Sequence, residues 1–299
     1  MPKEINYTPI KTEKKILVVG LTKNSEATIK EEISRIYTAL MKFKVLHFFV
    51  IESDSNDNTI EKLQELEVEL ANFRYKSLGI INEKIPLRTE RIAYCRNRYL
   101  DEIKSNVLYK DIEYVIMADL DGLNDLIAEE AFLSCWDKED WGVCTANQRG
   151  PYYDVWPLRH KDWSPNDCWS QYRFLVKNGL SVKKSKFAAV YSRMVEIDEH
   201  LDWIEVDSAF GGLAVYSRET LSDVRYIGVN EFGDEICEHL SLNAQIKSKG
   251  YRIFINPKLI NAGYTRHTRR FKQNPLLKSI KKIMGTFANN ALFHPSLSK

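Results

Sequence analysis

Two aspartates one residue apart, Asp119 and Asp121, follow the apolar run 115–118 and precede a glycine. Residues i and i+2 of a strand point to the same side, so both carboxylates can face one point at the strand's carboxyl end. Open α/β sheets bind ligands at that edge. Two carboxylates facing one point repel each other unless a cation lies between them, and such oxygen ligands suit Mg²⁺ or Mn²⁺. The alternative is an ordinary strand that ends in an Asp-Gly turn.

A strand-helix-strand unit near the start of the chain predicts the scaffold for these aspartates. Residues 15–21 and 45–51 are non-alternating apolar runs, and residues 26–43 between them carry apolar side chains at helical spacing. Such a connection places both strands side by side with their carboxyl ends at one edge. Further strands are predicted at 73–78, 143–147, 213–216 and 251–257, and helices from 59, at 88–100 and at 235–249. We therefore expect an α/β fold, a mostly parallel central sheet flanked by helices in a single large domain.

The loop after the second strand is acidic and hydroxylic, with Glu52, Asp54 and Asp57 among its residues. At this edge of the sheet, carboxylates can hydrogen-bond the base or ribose of a nucleotide. A loop rich in Asp, Ser and Asn is equally good capping chemistry for the helix that begins at Thr59. Both interpretations stay open.

Arginines line one side of the helix predicted at 88–100, with Arg88, Arg91 and Arg98 close together. Guanidinium groups near a phosphate site can pair with a diphosphate or orient metal-binding carboxylates. The alternative is a solvated basic face.

An aromatic and polar stretch at 152–160 indicates a sugar-binding surface. Aromatic faces stack on sugar C–H groups, while Asp or Arg can bind hydroxyls, although tryptophans are also ordinary packing residues. The double glycine Gly211-Gly212 indicates a tight bend or close approach of the backbone to a ligand.

The bulk composition is that of a globular chain. It has 299 residues, 44% hydrophobic and 28% charged, and its five cysteines show no CxxC spacing, which favours reduced thiols. No signal peptide or membrane-spanning run is visible, so we expect a cytoplasmic protein, or one peripheral to the inner face of a membrane. From Tyr264 onwards the chain is basic without acidic residues, and residues 269–299 are predicted as an amphipathic helical tail. The tail either contacts an anionic membrane surface or docks on the domain; a nucleic-acid partner is not expected.

Taken together, these stretches resemble the GT-A glycosyltransferases, a Rossmann-like fold. More specifically, the chain is similar to the cryptococcal capsule-type α-mannosyltransferases. The similarity is carried by the acidic loop, the 91–97 helix, residues 153–159, residues 208–212 and Cys237-Glu238-His239. It covers residues 14–268, leaving residues 1–13 as an N-terminal extension.

The resemblance implies metal-dependent transfer of a sugar from a nucleotide diphosphate sugar to a hydroxyl of a surface polysaccharide, glycan or glycolipid. GDP-mannose is favoured over a UDP-sugar. Asp119 and Asp121 would hold the cation with His267 as third ligand, and an imidazole ligand favours Mn²⁺ over Mg²⁺. The acidic loop would hold base and ribose. The residues implied for the donor and for the sugar or acceptor are Glu52, Asp54, Asp57, Arg91, Arg96, Asn97 and Asp119, and Asp154, Trp156, Arg159, Gly211, Gly212 and His239.

Glu238 and Asp207 are the carboxylates expected to face the reacting sugar. If the enzyme inverts, Glu238 is the base; if it retains, as the resemblance implies, either group stabilises a cationic sugar or acts as a transient nucleophile. Many GT-A enzymes have Glu-Asp where this chain has Glu238-His239. Two alternatives remain: a nucleotidyltransferase that makes sugar nucleotides, and a non-catalytic carbohydrate-binding protein on the same fold.

Overall fold

The computed structural model describes residues 12–272, and these begin with the expected strand-helix-strand unit. Strand β1 spans Lys15–Thr22, helix α1 spans Ile29–Leu40 and strand β2 spans Val45–Glu52. The two strands pair in parallel, with Thr22 opposite Glu52, so their carboxyl ends meet at one edge. That edge carries the candidate site.

Apolar clusters cover both faces of the sheet. In β1, Leu17 and Val19 pack into one cluster, and Ile16 and Val18 pack into the cluster on the other face. Each face is covered by helices or long connections, which explains why the sequence of β1 does not alternate.

The remaining elements complete an eight-stranded sheet. The other strands are β3 Phe73–Ser77, β4 Tyr114–Asp119, β5 Val143–Gln148, β6 Ile204–Val206, β7 Leu213–Ser217 and β8 Ile253–Ala262. The other helices are α2 Thr59–Glu69, α3 Arg88–Ser105, α4 Glu129–Leu133, α5 Cys168–Lys177, α6 Val182–Ala189, α7 Glu238–Ser248 and α8 Arg269–Lys272.

The strand order is β3-β2-β1-β4-β7-β5-β8-β6. β7 lies antiparallel between β4 and β5, and β6 is an antiparallel edge strand, while the other pairings are parallel. The prediction of a single α/β domain with a mostly parallel sheet is confirmed. β4 occupies the centre, so its carboxyl end is walled by neighbours on both sides.

The prediction that the last strand ends at Pro257 was wrong, because β8 continues to Ala262. Proline cannot donate to a ladder and is tolerated at irregularities. Here the pairing with β5 shifts register between Thr145 and Asn147, and the Asn147 side-chain amide donates to the Pro257 carbonyl at 3.0 Å. The extension carries residues 263–268 to the carboxyl end of β4.

No helix within residues 12–272 has both the length and the apolar character needed to cross a membrane. All five cysteines are buried free thiols. The predicted basic tail, apart from α8, lies outside the described residues, as does most of the predicted extension 1–13.

Candidate active site

The turn after β4 is held by hydrogen bonds from three sides. The Asp119 amide donates to the Gly212 carbonyl at 2.9 Å, and the Asn124 side chain donates to the Asp119 carbonyl at 2.8 Å. Beneath the turn, the buried Glu32 carboxylate accepts from the amides of Gly122 and Asn124 at 2.8 and 3.1 Å. The chain bends at Asp121-Gly122, where Gly122 has a φ of 85°, and these hydrogen bonds orient the two aspartates.

A cavity of about 620 Å³ opens at this edge of the sheet. Its charged or titratable lining residues are Lys23, Asp54, Arg88, Arg91, Cys95, Arg96, Asp119, Asp121, Tyr153, Asp154, Cys237, Glu238, His239, Arg266 and His267. Both aspartates thus share one cavity with several guanidinium groups. The volume of this cavity is in the range of small-molecule sites.

Arg96 is the buried cation of the site. Its side chain is 4% exposed and forms ion pairs with Asp119 at 2.8 Å and Glu238 at 3.1 Å. It also donates to the Tyr99 hydroxyl at 3.2 Å, and its guanidinium lies over the ring of Phe210 at 5.3 Å. Of the two roles predicted for such arginines, the contacts favour orientation of carboxylates over pairing with a diphosphate.

Arg266 binds the second aspartate and the candidate third ligand together. One terminal nitrogen donates to Asp121 at 2.9 Å, and its Nε donates to His267 Nε2 at 3.3 Å. The Arg266 side chain is 62% exposed. An exposed guanidinium thus bridges two of the three groups predicted to hold a cation.

The electrostatics of the aspartate pair fit a cation. Partial burial and the neighbouring Asp119 raise the pKa of Asp121, although Arg266 opposes the shift. Partial burial and then Arg266 and Arg270 lower the pKa of His267, whose neutral ring stacks on Tyr153 at 5.5 Å. However, residues 12–272 contain no group of three Asp, Glu, His or Cys side chains already assembled around one point. The fit is that of two carboxylates that need oxygen donors from a ligand to complete a shell.

Asp154 lies in the cavity wall, where its Oδ2 accepts from the Gly211 amide at 2.9 Å. Burial, opposed by that hydrogen bond and reinforced by Asp119 and Glu238, raises the pKa of Asp154 to about 7. A carboxyl group that titrates near neutrality can give or take a proton there.

The double glycine is a close approach of backbone to backbone. Both residues have positive φ, and a Cβ on Gly211 would lie 2.5 Å from the Ala146 carbonyl oxygen. A Cβ on Gly212 would collide with the Tyr153 hydroxyl. The two glycines do not line the cavity themselves; they lie behind its lining residues Tyr153 and Asp154, and the Gly211 amide binds Asp154.

His239 is buried against the cavity. Its ring stacks on Phe210 with centroids 3.6 Å apart, and its Nε2 lies 3.7 Å from Glu238. Burial and Arg96 hold the pKa of His239 well below its usual range, so the ring is neutral. Both ring nitrogens are buried, and neither has a hydrogen-bond partner within residues 12–272.

The acidic loop after β2 is largely satisfied by its own backbone. Glu52 accepts from the Ser55 amide at 3.0 Å and from the Ser77 hydroxyl, and Asp57 accepts from the Thr59 amide and hydroxyl. Asp57 therefore binds the first residue of α2, as the capping interpretation predicts, whereas Glu52 binds within the loop and to β3, and the N-cap residue Asn58 makes no side-chain cap hydrogen bond.

Of the three predicted carboxylates of the acidic loop, Asp54 is the one that lines the cavity. Its Oδ1 accepts from the Ile81 and Asn82 amides at 2.8 and 2.9 Å, and its Oδ2 lies 3.3 Å from Arg91 Nε. Arg91 also donates to the Ile85 carbonyl at 2.7 Å. This pair shapes the rim on the β2 side.

Two further predicted residues act through their neighbours. Asn97 clamps the Tyr226 backbone, donating to its carbonyl at 3.0 Å and accepting from its amide at 2.9 Å. Arg159 donates to Asp167, which also accepts from the Trp156 indole at 3.0 Å. Trp156 lines the cavity, and Arg159 supports it from behind.

Asp207 is placed away from the cavity. Its carboxylate is 61% exposed and pairs with Lys247 at 2.6 Å. Asp207 directly follows the short strand β6, which ends at Val206, and its amide donates to the Arg159 carbonyl at 2.8 Å while its carboxylate faces solvent. We withdraw Asp207 as a candidate catalytic group.

Sequence analysis missed Arg266, Glu32, Tyr99 and Tyr226. Arg266 adjoins the predicted ligand His267, so its position was a usable signal. Glu32 lies on an ordinary amphipathic helix, and the hydroxyls of Tyr99 and Tyr226, 3.0 Å apart, meet only through the tertiary fold.

Comparisons with known proteins give matches among solved structures. A mannosyltransferase, PcManGT from Pyrobaculum calidifontis, in complex with GDP-Man and Mn²⁺, is 15% identical over 95% of this chain and 66% of its own, with a TM-score of 0.49. Staphylococcus aureus TarS 1-349 with UDP-GlcNAc is 15% identical over 85% and 60%, with a TM-score of 0.48. Glucosyl-3-phosphoglycerate synthase from Mycobacterium tuberculosis with UDP is 14% identical over 85% and 71%, with a TM-score of 0.42.

No family model and no curated protein sequence matches the chain. The chain spans 66% and 60% of the first two structures. At these identities and TM-scores the matches carry no conclusion about the function of this chain.

Proposed function

We propose that the chain is a GT-A-type glycosyltransferase that moves a sugar from a nucleotide diphosphate sugar to an acceptor hydroxyl. The observation that carries the proposal is the shared cavity at the end of β4. It combines a carboxylate pair suited to a divalent cation with the guanidinium groups of Arg88, Arg91 and Arg266. Cation-binding carboxylates beside anion-binding arginines suit a metal-bound diphosphate.

Asp119 and Asp121 would hold Mn²⁺ or Mg²⁺, with His267 as a further ligand once Arg266 moves. The bound cation supplies Lewis-acid neutralisation of the leaving diphosphate. Arg96 orients Asp119 through its buried ion pair, and Glu32 holds the turn that presents Asp121. Released from Asp121, the exposed Arg266 guanidinium is free to pair with a phosphate oxygen.

The transferred sugar is assigned to the pocket around Asp154, Glu238 and His239, with Trp156 at its side. Glu238 is tied to Arg96 and stabilises positive charge on the sugar in a retaining reaction; in an inverting one it accepts the acceptor proton. GDP-mannose is the favoured donor on the sequence resemblance, and a surface polysaccharide, glycan or glycolipid is the favoured acceptor.

The test is release of nucleotide from a panel of sugar nucleotides in the presence of Mn²⁺. The proposal expects a nucleoside diphosphate from one donor, and GDP from GDP-mannose for the finer version. Release of pyrophosphate would instead indicate a nucleotidyltransferase, and tight sugar binding without turnover a carbohydrate-binding protein.

The matched variants are Asp119→Asn and Asp223→Asn. Asp119 lines the cavity, whereas Asp223 is a surface residue paired with Lys104, so both remove one carboxylate but only the first alters the site. Near-normal turnover of Asp119→Asn overturns the assignment of the carboxylate pair.

A further inference from the structure

Helices α5 and α6 form a helical hairpin, residues 168–189, that is strongly basic. It contains five cations, Arg173, Lys177, Lys183, Lys184 and Lys186, and no acidic residue. None of these five forms an ion pair with any residue of the described range 12–272. The hairpin therefore presents unneutralised positive charge, which favours an anionic partner.

The same hairpin exposes large apolar side chains. Phe174 is 64% exposed, Val182 59% and Phe187 39%. Single exposed apolar residues are common on protein surfaces, but here three occur within one short basic hairpin, which makes the hairpin amphipathic. Arg173 and Lys177 flank Phe174 on α5, and Lys183 lies one turn from Phe187 on α6. Apolar side chains bracketed by cations match the headgroup boundary of an anionic bilayer.

The hairpin also adjoins the candidate active site. Trp169 of α5 and Val190, directly after α6, both line the cavity at the end of β4. Contact of the hairpin with a flat surface would therefore bring the cavity close to that surface.

We propose that the hairpin 168–189 is a docking surface for anionic phospholipid membranes. It joins electrostatic attraction through five cations to shallow insertion of Phe174, Val182 and Phe187. One consequence rests on the proposed glycosyltransferase function: docking would present the cavity to a lipid-linked acceptor.

The first experiment is co-sedimentation of the full chain with vesicles. Vesicles of equal parts phosphatidylcholine and phosphatidylserine are expected to bind the protein, and pure phosphatidylcholine vesicles to bind it much less. Binding should weaken as salt is raised, because the Debye length falls from about 10 Å at 0.1 M to about 3 Å at 1 M. Equal binding to both vesicle types, or to neither, overturns the proposal.

Variants locate the binding on the hairpin. The triple change Lys177→Gln, Lys183→Gln and Lys184→Gln is expected to weaken vesicle binding about 100-fold, since each cation near the surface contributes about fivefold. The matched control changes three other exposed lysines, Lys76→Gln, Lys84→Gln and Lys110→Gln, which carry the same charge elsewhere on the surface. If both triples weaken binding equally, or the hairpin triple keeps full binding, the docking surface is not here.

The apolar contribution has its own variant. Phe174→Ser with Phe187→Ser should weaken binding at high salt as well as low, because insertion is not screened. Retention of the wild-type midpoint in thermal unfolding shows that these surface variants are folded.

Failure of docking and failure of the proposed function are separable. Nucleotide release without vesicles should be the same for the hairpin triple and the wild type, because none of the three lysines lines the cavity. Vesicle binding by a protein that releases no nucleotide leaves docking standing alone. Binding to an acidic polypeptide but not to vesicles would replace the membrane by a protein partner.

Discussion

Two arginines hold the two aspartates of the site in different ways. Arg96 is 4% exposed and shared between Asp119 and Glu238, whereas Arg266 is 62% exposed and shared between Asp121 and His267. A buried ion pair costs several kcal/mol to break, and an exposed one costs less than about 1 kcal/mol. Arg96 is therefore a permanent part of the scaffold, and Arg266 is a counter-ion of Asp121 that the proposed metal would displace and the proposed diphosphate would take as its partner.

Arg96, Asp119 and Glu238 form the permanent half of the site, and the exchangeable half contains Arg266, Asp121 and His267. The strongest test of the permanent half is Arg96→Met. We expect it to lower the free energy of unfolding by about 3–5 kcal/mol, because Glu238 and Asp119 lose their buried counter-charge. Urea denaturation measures the change. Arg225→Met, which breaks the exposed pair with Asp101, should cost less than about 1 kcal/mol. Equal midpoints for the two variants would contradict a scaffold role for Arg96.

Asp121→Asn tests the exchangeable half. Because the lost contact is exposed, unfolding should change by less than about 1 kcal/mol. Nucleotide release should fall about 100-fold or more, since the proposed cation loses a ligand and several kcal/mol of charge stabilisation with it. Urea denaturation and donor turnover are measured on the same preparation. A large loss of stability with normal turnover would reverse the assignment of the two halves.

Asp154 responds to the charges of Asp119, Glu238 and Arg96, the permanent half of the site, and reports on them through pH. Its pKa is raised from 3.8 to about 7 in the folded protein, so the folded state binds the proton more tightly than the unfolded chain. The resulting stability is fully present below about pH 4 and is lost as pH rises through about 7. For this partly buried group we expect a loss of roughly 2 kcal/mol between about pH 5 and about pH 8.

The comparison variant is Asp154→Asn, which keeps an oxygen for the Gly211 amide but cannot titrate. As pH rises, the free energy of unfolding of the wild type should fall relative to that of the variant. A difference that stays constant across this range would show that Asp154 is ionised throughout.

The central sheet was predictable from the sequence because its cause is local. Residues 15–21 and 45–51 are apolar on both faces, which only a covered parallel strand tolerates, and the helix between them has a regular apolar stripe. The strand at 213–216 was predicted, but its antiparallel direction and the continuation of β8 past Pro257 depend on partners distant in sequence, and no local pattern marks them.

The site divides in the same way. Asp119 ends a strand that its own sequence marks, and Asp121 comes two residues later. The sequence could therefore predict that both carboxylates reach one cavity. Asp207 and Glu52 are carboxylates too, but Asp207 pairs with Lys247, and Glu52 accepts a hydrogen bond from the loop backbone. Which carboxylate faces a cavity and which faces an internal partner is decided by tertiary contacts.

Arg266→Gln is expected to give the smallest effect and the most specific one. The exposed pair contributes less than about 1 kcal/mol to folding, so the unfolding midpoint should hardly move. In the protein without donor, Asp121 and His267 lose the guanidinium that competes with a cation, so Mn²⁺ measured by calorimetry should bind up to about fivefold tighter, the equivalent of that energy. With donor present the sign should reverse, because the variant also lacks a cation for the diphosphate. Weaker Mn²⁺ binding in both states would show that Arg266 supports the aspartate pair in the way Arg96 does, and the distinction between a permanent and an exchangeable arginine would then fall.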